Sequence, residues 1–214
     1  GPLVHGLTLG EMARVANAAR VKPAQLTVVA MEGWLRSMRW RDTGRPWVAP
    51  SPNLRTADAA LAYPGTCLFE STDATEGRGT EAPFLLLGAP WLDAPALAKV
   101  RAPGFALSTT TFTPRASEAA SAPKHRDVLC QGVRVEVTDA VASRPYELGV
   151  RLLYALRMQK GFRWTREGAL DWLVGTRRLR LAFERGDTPE MILASDAGDL
   201  AAWERERAPF LLYP

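Results

Sequence analysis

Residues 50–91 read PSPNLRTADAALAYPGTCLFESTDATEGRGTEAPFLLLGAPW, and how this stretch is parsed decides the fold. Two runs inside it, 66–69 (TCLF) and 84–87 (FLLL), are short, largely apolar and bounded by Gly and Pro, the pattern of buried strands. Between them lies a polar segment carrying Glu70, Asp73, Glu76, Arg78 and Glu81. Buried strands at both ends would hold that segment as an anchored loop, the usual seat of binding and catalytic groups. Gly77 and Gly79 flank Arg78 and open backbone conformations closed to other residues, so a ligand can approach closely.

Working outward, the C-terminal side predicts a helix over 93–100, with Asp93 as cap and Pro95 in its first turn. Strands follow at 105–112 (FALSTTTF) and 131–138 (QGVRVEVT), the second alternating Val with polar residues. A Pro-, Ala- and Ser-rich connection, 113–127, separates them and carries Lys124 and His125. On the N-terminal side, 56–62 predicts a short helix ended by Tyr63-Pro64-Gly65. Before it come an irregular Trp- and Arg-rich segment, 33–52, and a strand at 25–31 (QLTVVAM). Thr8 and Glu11 form a capping box that opens an amphipathic helix over 8–20.

The last third predicts helices over 145–158, 165–174 and 176–185, the latter two closed by Gly175 and Gly186 as left-handed caps. Thr188-Pro189 opens another, and 199–207 is the last, with Trp203 facing inward. These elements place the chain in the α+β (or α/β) class: a mixed β-sheet packed with helices and a helical C-terminal third. With no internal repeat and no evident linker, residues 1–214 are expected to form a single domain.

Composition narrows the function classes. The chain has 214 residues, 47% hydrophobic and 23% charged, ordinary for a globular protein. Lys and Arg number 27 against 23 acids, giving +4 with the signs interspersed. No basic block alternates with aromatics, so a nucleic-acid partner is not expected. No apolar run is long enough to span a bilayer. Two cysteines, Cys67 and Cys130, exclude a disulfide scaffold and a cysteine zinc cluster but leave one bridge open. His5 and His125 are too isolated for a metal site, and no glycine-rich loop has the phosphate-cradling pattern. Neither metal nor cofactor is expected.

Several pieces occur in an order that resembles a known family: HGLTLGE (5–11), WVAPSPNL (47–54), YPGTCLFE (63–70), TEGRGT (75–80), PFLLLGAPW (83–91) and the Cys-x-Gly-Val of Cys130. Together they resemble the exo-β-N-acetylmuramidases of the DUF1343 (NamZ) type, bacterial glycoside hydrolases acting on peptidoglycan fragments. The similarity runs from His5 to the terminal Leu-Leu-Tyr. It implies that the chain corresponds to the C-terminal part of the family, with residues 1–21 as a helix continuing from an N-terminal Rossmann-like half. That half, a partner by this reading, is the one credited with the catalytic glutamate. The resemblance further implies a peptidoglycan-derived muramyl saccharide as ligand, release of N-acetylmuramic acid from the non-reducing end, and a home in the bacterial cell envelope, periplasmic or secreted, with the cytoplasm also open. Where the family usually has Glu-Gly-Thr-Asn, this chain has Glu70-Ser71-Thr72-Asp73.

Glycoside cleavage normally uses two carboxyl groups across the scissile bond. The loop offers Glu70 and Glu76, which an extended segment would hold roughly 20 Å apart and only a folded-back loop would bring together. They are the candidate catalytic residues, in supporting roles. Arg78 is the candidate for gripping the lactyl carboxylate of N-acetylmuramic acid, or else pairs internally with Glu70, Glu76 or Glu81. Asn53, Asp73, Trp47 and His5 complete the candidate substrate-binding set. Asn53 would hydrogen-bond a sugar or cap the turn at Thr56. Trp47 would face a sugar ring or close an edge of the core. A non-catalytic carbohydrate- or cell-wall-binding module is the alternative to a glycosidase part.

Overall fold

The structure, a computed structural model, describes residues 2–214. Residues 46–193 form one compact unit, and residues 2–45 with 194–214 form the other.

The larger unit is built on a three-stranded antiparallel sheet of β1 (Leu86–Ala89), β2 (Phe105–Phe112) and β3 (Cys130–Val137), in the order β1-β3-β2. β3 is central: Val133 lies opposite Leu87 of β1 and Thr109 of β2. Alternation along β3 buries Val133 and Val135 and leaves Arg134 and Glu136 in water. Two helices pack beside the sheet, α2 (Ala57–Thr66) and α4 (Pro145–Arg157), with the short α3 (Ala94–Leu97) between them in sequence. α4 contributes Leu148, Leu152, Leu153 and Leu156, all fully buried. α2 and α4 meet backbone to backbone: a Cβ on Gly65 would sit 1.9 Å from the Pro145 carbonyl oxygen, and one on Gly149 would sit 2.6 Å from that of Gly65. α5 (Ala169–Val174) and α6 (Arg178–Arg185) complete the unit, ending at Gly175 and Gly186 with φ of 72° and 85°. The 19-residue α7 (Pro189–Arg207) follows.

Thr66–Phe69 is not a strand. α2 begins where Thr56 Oγ1 accepts from the Ala59 N–H, continues through Pro64 to Thr66, and tightens into a 3-10 turn over Cys67–Ser71. Residues 65–69 are buried throughout, which a strand achieves only with neighbours on both sides. The helix supplies its own backbone partners, and Pro64 costs it one hydrogen bond. A four-residue apolar run does not separate the two solutions.

The second expected strand exists but is displaced to Leu86–Ala89, because Phe84 sits at φ 66°, outside strand geometry. The expected strand at 25–31 joins no sheet among the described residues, and its Val29 is 90% exposed. An apolar, β-branched composition without a ladder partner does not make a strand. The two helices expected after Thr188 are one, running through Gly198.

In the smaller unit, α1 (Leu9–Ala18) carries the expected capping box: Glu11 N–H donates to Thr8 Oγ1 at 3.4 Å and Thr8 N–H to Glu11 Oε2 at 2.7 Å. Glu11 is fully buried; its Oε1 also accepts from Leu212 N–H and pairs with Arg36. Burial pushes that carboxyl up, but the Leu212 and Thr8 amides and the Arg36 guanidinium outweigh it and hold Glu11 below the ordinary glutamate range. Trp34 and Tyr213 meet edge-on at 4.7 Å, and Trp203 Nε1–H donates to the His5 carbonyl.

Candidate functional site

The loop following the 3-10 turn is closed by backbone hydrogen bonds on both sides. Asp73 N–H donates to Arg163 O at 3.0 Å and Thr165 N–H to Ser71 O at 2.8 Å, setting Thr72 opposite Trp164. Two residues on, Thr75 and Gly88 of β1 exchange hydrogen bonds of 2.7 and 3.1 Å. The chain then turns through Gly77 and Gly79, at φ 83° and 81°. A Cβ at Gly77 would lie 2.4 Å from Leu86 O, and one at Gly79 would lie 2.5 Å from Arg115 O. Phe84 N–H donates to Glu76 O at 2.7 Å, and Arg115 N–H to Gly79 O at 2.8 Å. The turn is therefore stitched to β1 and to the 113–127 connection.

This folding back brings Glu70 and Glu76 onto a single guanidinium. Arg78 Nη2 lies 2.7 Å from Glu70 Oε1, and Nε lies 3.1 Å from Glu76 Oε1. The other oxygen of Glu76 receives Lys124 Nζ at 3.0 Å. Lys124 also donates to the carbonyls of Phe69 and Ala74, at 2.9 and 3.1 Å. Two acids and two bases make the cluster formally neutral. Beneath Arg78 lies Phe84, 5.1 Å from guanidinium carbon to ring centroid, and Tyr63 meets the same ring edge-on at 4.7 Å. Burial lowers the Arg78 pKa, but the Glu70 and Glu76 carboxylates outweigh it and keep the cation charged. Burial, with Cys67 and Glu70 nearby, pushes the Tyr63 phenol up, so it remains a neutral donor.

Chemically, the cluster divides into a supporting half and an open half. Glu76 is 3% exposed and both its oxygens face cations, which leaves none to hold a proton toward a substrate. Glu70 Oε2, Arg78 Nη1 and the half-buried Tyr63 hydroxyl have no partner among the described residues. They make a rim of one acceptor, one cationic donor and one neutral donor. A guanidinium already shared by two carboxylates offers an incoming anion little attraction.

The other candidates are placed as follows. Asp73 is a strut: Oδ2 accepts from Trp91 Nε1–H and Oδ1 from Arg163 N–H, both at 3.1 Å. Asn53, 4% exposed, donates to Ala119 O, and its Oδ1 is buried with no partner among the described residues; the Thr56 turn is capped by Thr56 itself. Trp47 Nε1–H donates to Leu54 O at 3.0 Å. His5 lies in the smaller unit, where Nδ1 accepts from Leu7 N–H. His125 touches Asp73 O at 2.7 Å through Nε2. Sequence reasoning had no signal for Lys124 as the partner of Glu76, since 48 residues separate them. Tyr63 was not legible as a neighbour of Glu70, because the relation appears only once the helix runs through Pro64 and tightens into the 3-10 turn that carries Glu70.

Cys67 and Cys130 are buried free thiols. Among the described residues no group of three or more His, Cys, Asp or Glu side chains is placed to hold a metal ion, and no helix is long and apolar enough to cross a membrane.

Comparison with known proteins adds three findings. Residues 61–213 match the family described as exo-beta-N-acetylmuramidase NamZ, C-terminal, and residues 1–58 match its N-terminal counterpart. The peptidoglycan beta-N-acetylmuramidase NamZ of Bacillus subtilis (strain 168) is 35% identical over 218 residues, covering 99% of this chain and 51% of that protein. The chain thus spans about half the length of the curated relative it matches. Two crystal structures of DUF1343 family proteins from Bacteroides fragilis NCTC 9343 superpose with TM-scores of 0.74 and 0.84. The first is 30% identical, over 98% of this chain and 56% of its own; the second is 24% identical, over 97% and 56%, and speaks for the fold alone.

Proposed function

Because this chain belongs to the NamZ family of exo-beta-N-acetylmuramidases, we propose that it is the substrate-binding part of a glycoside hydrolase releasing N-acetylmuramic acid from the non-reducing end of peptidoglycan fragments. The observation that carries this reading is the rim of Glu70 Oε2, Arg78 Nη1 and Tyr63 hydroxyl above a neutral, hydrogen-bonded ion cluster. Fixed donors and acceptors beside aromatic rings suit a sugar, whose hydroxyl and acetamido groups need partners while its C–H faces are apolar. Glu76 supports this rim by fixing Arg78, and general acid–base chemistry falls to residues outside the loop, in a Rossmann-like partner half. The envelope of the bacterial cell is the proposed place of action, where such fragments arise.

A second reading, a non-catalytic cell-wall-binding module, is favoured by one observation: both oxygens of Glu76 are tied to cations. Two measurements separate the readings. Calorimetric titration of the chain with a muramyl saccharide is expected to show binding, weakened in Arg78→Gln and in Glu70→Gln. A chromogenic muramyl glycoside is expected to be hydrolysed only when the chain is joined to the N-terminal half of a family member. Absence of binding would end both readings, and binding with no hydrolysis in the joined protein would leave the module.

A further inference from the structure

We propose that the segment 160–166, Lys-Gly-Phe-Arg-Trp-Thr-Arg, is the part of this surface that reads the carboxylate of a muramyl ligand. The proposal rests on the saccharide-binding reading above and changes which cation does the reading. Arg78 is already shared between Glu70 and Glu76. By contrast Lys160, Arg163 and Arg166 are all exposed and have no side-chain partner among the described residues. Two acids stand against these three cations, Glu167 next in sequence and Asp73, whose carboxylate accepts from the Arg163 N–H. An anion approaching this segment therefore meets net positive charge that no internal pair has cancelled.

The segment is also held still and placed beside the rim. Arg163 is tied by its backbone, N–H to Asp73 Oδ1 and carbonyl to Asp73 N–H, so its guanidinium takes no part in the anchoring. Thr165 donates to Ser71 O through both its N–H and its hydroxyl. Gly161 lies flat on the Trp91 indole, where a Cβ would come within 2.3 Å of the ring. The indole N–H in turn bonds Asp73, so one carboxylate fixes both sides of the segment. Ser71, which accepts both Thr165 hydrogen bonds, is the chain neighbour of Glu70, so the backbone of the segment is bonded one residue from the residue whose carboxylate opens the rim.

Phe162 and Trp164, half-buried and in edge-to-face contact at 4.8 Å, supply apolar surface between the cations. A ligand that is part apolar and part anionic matches this combination: the lactyl group of N-acetylmuramic acid carries a methyl beside its carboxylate, and N-acetylglucosamine has neither.

The test compares binding of the methyl β-glycosides of N-acetylmuramic acid and N-acetylglucosamine to the chain, by titration calorimetry at two salt concentrations. The double variant Arg163→Gln with Arg166→Gln, whose side chains make no hydrogen bond or ion pair among the described residues, is expected to weaken muramyl binding about tenfold. It should leave glucosaminyl binding unchanged and remove the salt dependence of the muramyl titration. Trp164→Ala is expected to weaken muramyl binding about three- to tenfold, with thermal unfolding of the same sample checking that the fold persists. Arg78→Gln should weaken both sugars alike. The proposal is overturned if the double variant leaves the ratio of the two affinities intact, or if Arg78→Gln alone abolishes the preference. Equal binding of both sugars by the unaltered chain overturns it while sparing the saccharide-binding reading; binding of neither removes both.

Discussion

Lys124 reaches back across 48 residues to set its ammonium 3.0 Å from Oε2 of Glu76, completing an ion cluster whose other members come from the 3-10 turn and the loop after it. The buried carboxylate is thereby neutralised on both oxygens, and removing it leaves Lys124 without an anion and Arg78 with Glu70 alone. Glu76→Gln is expected to lower the unfolding free energy by about 2 kcal/mol, a figure moderated by the partial exposure of Arg78 and Lys124. Urea unfolding of the two proteins measures it, and an unmoved midpoint would show that the cluster contributes nothing to stability.

The turn at Gly77 combines a left-handed backbone with a close approach to Leu86 O, whereas Gly44 has φ 65° and open space around it. Gly44→Ala should therefore cost about 1 kcal/mol, for the conformation alone. Gly77→Ala should cost about 3 kcal/mol, because the methyl group must also displace β1. Equal midpoints for the two variants would contradict the close packing of the loop.

Glu11 has a folded-state pKa below its unfolded value. Such a group adds stability above about pH 4.3, the unfolded value, and that stability is lost as pH falls through the depressed folded pKa. Glu11→Gln should flatten the acid limb of the stability–pH curve below about pH 4.3. Guanidinium melts between pH 3 and 7 would reveal it.

Burial pushes the Cys67 thiol up to about 12, with Glu70 adding to it, and burial pushes Cys130 to about 11. Both thiols stay protonated and covered at pH 8, so a thiol reagent should modify neither until the chain unfolds. Since the folded pKa values exceed the unfolded value of about 8.5, these groups also withdraw stability as pH rises from there toward the folded values. Fast native-state labelling would contradict the burial.

Asp73→Asn replaces a strut carboxylate by an amide of the same shape. One amide oxygen cannot replace two carboxylate oxygens that accept from Trp91 and Arg163. The variant should lose about 1 kcal/mol, with an indole N–H exchanging faster by NMR.

Legibility of the fold followed the range of the interactions. The Thr8–Glu11 capping box, the helix ends at Gly175 and Gly186 and the strands near 105–112 and 131–138 rest on patterns within a few residues, and each is present with small shifts. The runs 66–69 and 25–31 were misread because their conformation depends on neighbours that sequence does not display: α4 against Gly65 in the first, a missing ladder partner in the second. Within the candidate site, the meeting of Glu70, Glu76 and Arg78 could be anticipated from their shared loop. The arrival of Lys124, and the rotation of Tyr63 toward Glu70 by a helix that ignores Pro64, could not.

At the crossing of α2 and α4 no side chain stands between the helices, only the peptide planes around Gly65 and Gly149. Rotamer changes therefore have no means of retuning that separation, and the crossing acts as a hard stop, not a spring. Tyr63 and Glu70, carried on and just beyond α2, inherit a fixed reference plane, so diversification of ligand preference on this scaffold must come from segments that approach from outside the helix pair.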